Sequence, residues 1–92
     1  MRVTAWKGGG YGIRVGKANA GMFPRMWKTI DVTMGGHTHT FNLTRTFWTT
    51  CPEFRGKEVQ KWLRVRRSTS WPYRNPPTFS LTRIRGQHFR LH

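Results

Sequence analysis

The sequence predicts an α+β domain, built as a small open β-barrel or a strongly twisted antiparallel sheet with two flanking helices. Three observations carry that prediction. Apolar and polar residues alternate in five short stretches, the period of a strand with one buried face. One stretch past the middle of the chain instead spaces its apolar residues as a helix does. Aromatic residues make up 14% of the 92 positions. Each ring buries about 150–250 Å², so a hydrophobic share of only 36% still supports one core. A chain of this length buries roughly 60–65% of its unfolded surface, which suits a single domain over residues 1–92.

The elements follow in order. Gly8-Gly9-Gly10 reads as a break, which leaves residues 1–10 as a flexible N-terminal segment. Tyr11, Ile13 and Val15 alternate with Gly12, Arg14 and Gly16 and define a first strand. Lys17 to Phe23 suits a short helix stopped by Pro24, because proline disfavours helical geometry in the residue before it. Ile30, Val32 and Met34 form a second strand, and Gly35-Gly36 is a hairpin turn leading to a third with His39, Phe41 and Leu43. Thr50-Cys51-Pro52-Glu53 has the spacing of a capping box, so a helix is expected from there to about Val65. Its buried side would carry Phe54, Val59, Trp62 and Leu63, and its exposed side Lys57, Lys61 and Arg64. The three prolines between Ser68 and Pro77 exclude a regular element. Thr78 to Ile84 and His88 to His92 form a closing hairpin around Arg85-Gly86-Gln87, with Phe79, Leu81, Phe89 and Leu91 inward.

Charge sets the function class. Seventeen Lys and Arg stand against Asp31, Glu53 and Glu58, for a net charge of +14 and a pI near 11.9. At most three cations can find a carboxylate within the chain, and the rest must face water, counterions or an anionic partner. A surface of this kind attracts polyanions, nucleic acid above all, because each neutralised phosphate releases condensed counterions. Two-metal nuclease chemistry needs several clustered carboxylates and is excluded by the shortage of acids. The glycines before Lys17 fail the P-loop spacing, since Tyr11 occupies the first glycine position and Ala18 replaces the Ser or Thr. The single Cys51 cannot form an internal disulfide, and it reads as a small buried residue. No signal peptide or apolar span is seen, so a cytoplasmic, and on DNA a nucleoid-associated, location is expected.

The phosphate-binding candidates are Lys57, Lys61, Arg64, Arg66 and Arg67 on the helix, Arg83 and Arg85 near the last hairpin, and Arg14 and Lys17 after the first strand. Trp6, Tyr11, Trp71 and Tyr73 fall in expected loops. They either stack unpaired bases or cover the core edge, with the second reading preferred for Trp71. Trp27, Trp48 and Trp62 are assigned to the core. His37 and His39 share one strand face about 7 Å apart. A metal would need a third ligand from Cys51, His88 or His92, so no metal or cofactor is expected.

Gly12-Ile13-Arg14-Val15, Trp27-x-x-Ile30-x-Val32, Phe41-x-Leu43, Phe79-x-Leu81 and Phe89-Arg90-Leu91 together resemble the layout of B3-type pseudobarrel domains. That resemblance implies a pseudobarrel that binds duplex DNA in the major groove. It transfers no individual contact residue. The Phe47-to-Arg55 box and the Gly-Tyr-Gly-Ile-Arg-Val start also resemble small uncharacterised bacterial proteins, which implies no function. The expectation is therefore a non-catalytic nucleic-acid-binding domain that prefers DNA over RNA. The alternatives are a toxin-like ribonuclease that works without metal, and an inhibitor that binds an acidic protein.

Overall fold

Strand alternation decides the architecture in the computed structural model, which describes residues Met1–His92. Seven strands and two helices follow in the order β1 (Arg2–Gly8), β2 (Gly10–Arg14), α1 (Lys17–Ala20), β3 (Thr29–Met34), β4 (His37–Asn42), β5 (Glu53–Arg55), α2 (Lys57–Val65), β6 (Thr78–Arg85) and β7 (His88–Leu91), with a 3₁₀ turn at Arg45–Trp48. The strands form one sheet in the order β4-β3-β7-β6-β1-β2-β5. All pairs are antiparallel except β3 with β7. The outer strands β4 and β5 approach each other, and the Phe41 and Phe54 rings meet across that seam with centroids 4.9 Å apart. The result is a nearly closed mixed barrel with two helices. No helix is long and apolar enough to cross a membrane.

Nineteen buried apolar residues form one cluster, and no polar or charged side chain is buried. Phe23 stacks on Phe89 and meets Phe47 edge-on, both at 5.0 Å between centroids. Trp62 meets Phe79 edge-on at 4.8 Å. Trp27 and Trp48 sit half-buried around this cluster, while Trp62 is buried in it. The Trp48 indole N–H donates to the Phe23 carbonyl at 2.7 Å, which gives its polar atom a partner.

Four expectations are corrected. Residues 1–10 are not a flexible segment: Arg2–Gly8 lies between β6 and β2, with Val3 and Ala5 buried. The glycine triplet is instead the tight turn of the β1–β2 hairpin, with Gly8 opposite Gly10 and Gly9 at a φ of 42°. The helix does not begin at Thr50. The Pro52 carbonyl accepts from the Val15 and Gly16 amides, and Glu53–Arg55 pairs with β2, so the local backbone is committed to the sheet before the helix starts. Cys51 is consequently exposed, well outside the core. The first helix is also shorter than expected and ends at Ala20.

Gly12 makes the β2–β5 pairing possible. A Cβ there would lie 2.7 Å from the Phe54 carbonyl oxygen and 2.8 Å from the Arg55 Cβ. Neither neighbour is a flexible side-chain tip, so the strands would have to separate. Gly12→Ala is expected to cost about 1–3 kcal/mol of stability, measured as a lowered urea midpoint. Cys51 is expected to react with a thiol reagent in the native protein, without denaturant.

Candidate nucleic-acid interface

All seventeen cationic side chains belong to exposed residues. One ion pair forms, Arg14 to Glu53 at 3.5 Å across the β2–β5 pair. The Glu53 Oε2 atom is buried without a hydrogen bond, so Arg14 is its one compensation. Two of the three carboxylates lie at the seam of the barrel, and the third is on β3. Glu53 and Glu58 line the groove between β4 and β5, and Asp31 accepts from the hydroxyl of Thr40, another groove residue, at 2.6 Å. The opposite wall, made by β7, β6 and β1, presents Arg2 and Arg90 among threonines and serines and carries no acid.

Helix α2 holds the largest basic group. Val59, Trp62 and Leu63 face the core, which leaves Lys57, Lys61 and Arg64 along the exposed side. The helix ends in a Schellman arrangement: the Ser68 amide donates to the Leu63 carbonyl and the Arg67 amide to that of Arg64. Arg67 therefore sits at a φ of 54°, a position that glycine usually occupies. Arg66 turns back, and its guanidinium lies 4.3 Å from the centre of the Trp62 ring. Five cations thus leave one short helix and its cap.

The other predicted cations lie elsewhere. Arg14 ends β2, Lys17 begins α1, and Arg83 and Arg85 end β6 beside the start of β7. Strand directions put all four at the end of the barrel opposite α2. Arg83 already has structural partners, donating to the Gly86 carbonyl at 2.8 Å and lying 5.4 Å from the Trp27 ring centre. The nine predicted residues are therefore two groups at two barrel ends.

The structure adds cations that the sequence reading left out. Trp6, Gly12 and Arg55 form one row across β1, β2 and β5. Because Gly12 has no side chain, the Arg55 guanidinium reaches to 5.6 Å from the Trp6 ring centre. Lys7 lies 5.9 Å from the Tyr11 ring centre and 5.4 Å from that of Trp71. Tyr11 meets Trp71 edge-on and donates its hydroxyl to the Thr69 carbonyl at 2.9 Å. Trp71 packs half-buried on the core edge, whereas Tyr73 is 86% exposed. Trp6 and Arg55 could be matched only once β1 and β5 were known, and no motif marks either strand.

His37 and His39 do share a face, and it is the inner one. They stand opposite the buried Met34 and Val32, and their ring centroids are 6.4 Å apart. With α2 they line a cleft of about 520 Å³ that also takes in Glu58, Lys61, Trp62 and Val65. His88 and His92 lie on the outer wall, bonded to the hydroxyls of Thr33 and Thr82. No three His, Cys, Asp or Glu side chains converge as a metal site.

No protein-family model matches the chain, and no curated protein or solved structure is significantly similar to it. Arg67→Gly is expected to raise stability by about 1 kcal/mol, since it relieves the left-handed conformation of a non-glycine residue. Comparison of urea unfolding curves checks this.

Proposed function

We propose that the protein binds nucleic acid, duplex DNA in the first place, through phosphate contacts from the α2 group. The observation that carries this reading is the charge arrangement. Seventeen cations are exposed and one has a carboxylate partner. An isolated fold gains nothing from that excess, since like charges on a small body repel. A phosphate backbone supplies the missing anions and releases counterions as it binds. Lys57, Lys61, Arg64, Arg66 and Arg67 are the main contacts. Lys7 and Arg55 extend the group along the neighbouring β1–β2 turn. Lys17, Arg83 and Arg85 form a second contact zone, and Arg14 contributes less because Glu53 holds it. The preference for DNA rests on the resemblance of the sequence pattern to B3-type pseudobarrels, and the nearly closed seven-stranded barrel with two helices is compatible with a small barrel of that general kind.

Engagement of about eight phosphates on B-DNA gives a log K against log[salt] slope near −7. Replacing Lys57, Lys61 and Arg64 by alanine should reduce the size of that slope by about 3 and weaken all sequences alike. Parallel titrations against duplex DNA and RNA measure the preference. A flat salt dependence with both would end the proposal.

A further inference from the structure

We infer that the cleft between the β3–β4 hairpin and α2 is a site for metal-independent cleavage of RNA. This rests on the nucleic-acid reading and adds a reaction to it. His37 and His39 stand two residues apart on one strand, so both imidazoles project to the same side, with centroids 6.4 Å apart. Two rings at that separation can each turn a nitrogen toward one phosphodiester linkage, one to the attacking O2′ and the other to the leaving O5′. Lys61 and Glu58 line the cleft from α2, the ammonium favouring a phosphate and the carboxylate opposing it, and Met34 and Trp62 give it an apolar floor. Its volume of about 520 Å³ accommodates a nucleotide unit. Lys61 also belongs to the exposed basic stripe, so a strand held along that stripe is delivered to the cleft.

The reaction needs only these groups and the RNA. One imidazole, neutral, takes the proton of a ribose 2′-hydroxyl while O2′ forms a bond to the adjacent phosphorus. The P–O5′ bond breaks, its electron pair goes to O5′, and the second ring, as imidazolium, gives O5′ a proton. The Lys61 ammonium offsets the charge that builds on the non-bridging oxygens. The products are a 2′,3′-cyclic phosphate and a 5′-hydroxyl. Proton exchange with water then restores the two rings. DNA has no 2′-hydroxyl, so it binds the same surface and stays intact.

The test incubates the full chain with a single-stranded RNA oligonucleotide, and separately with DNA of the same sequence, in EDTA over a pH series. RNA should be cut to fragments ending in 2′,3′-cyclic phosphate while DNA survives. His37→Ala and His39→Ala should each slow cleavage by about 10²–10⁴-fold. His39→Gln replaces the second variant if it does not fold. His92→Ala, on the outer wall, should cut at the native rate. RNA that binds yet stays whole at every pH overturns the cleavage and leaves the binding proposal standing. RNA that neither binds nor is cut, while DNA binds, overturns the cleavage alone; failure to bind either nucleic acid overturns both. Cleavage that survives removal of both histidines overturns the assignment of the cleft.

Discussion

The exclusion of every cation from the interior is the constraint on which this structure depends. With three acids for seventeen cations, a buried lysine or arginine would have no partner, and an unpaired buried charge is prohibitively costly. The barrel meets the constraint because each strand sends alternate side chains inward and outward. Nineteen apolar residues close into one cluster, and all the cations stay in water. Large rings make this workable in a small chain. Phe23, Phe47 and Phe89 fill one region, and Phe41 with Phe54 joins the two outer strands.

The outside is as ordered as the inside. Glu53 and Glu58 border the seam, where β4 and β5 approach without a ladder between them. Repulsion among the cations is shared between the two barrel ends and the acid-free wall. Helix α2 links two features that would otherwise be separate, because Lys61 faces both solvent and the histidine cleft. One turn of helix therefore ties charge attraction to a concave site.

Much of the fold was legible in the residues. Ile30, Val32 and Met34, the Gly35-Gly36 turn and Phe41 specify their hairpin through strict alternation and two glycines at positive φ. The buried side of α2 followed from the spacing of Val59, Trp62 and Leu63. Strand β1 was hidden because its neighbouring glycine triplet looks like a linker, and a turn and a linker share that composition. Thr50 to Glu53 has the residues of a capping box, yet Phe54 is needed opposite Ile13, and tertiary pairing overrides the local signal. The candidate interface was half legible. Helical periodicity marks Lys57, Lys61 and Arg64, but the union of Trp6 with Arg55, and of the histidines with Lys61, arises from register between distant segments. No local pattern encodes register at that range.

The place of the β6–β7 hairpin in the sheet has a consequence for how the molecule is made. These two strands follow every other element along the chain, yet they occupy the centre of the sheet, between β3 and β1. Without them, β4-β3 and β1-β2-β5 are two separate ribbons with open apolar faces. Residues as far as Leu91 must therefore be present before the barrel can close. Until then the chain carries unpaired strand edges and bare aromatic rings, the surfaces through which partly folded chains aggregate.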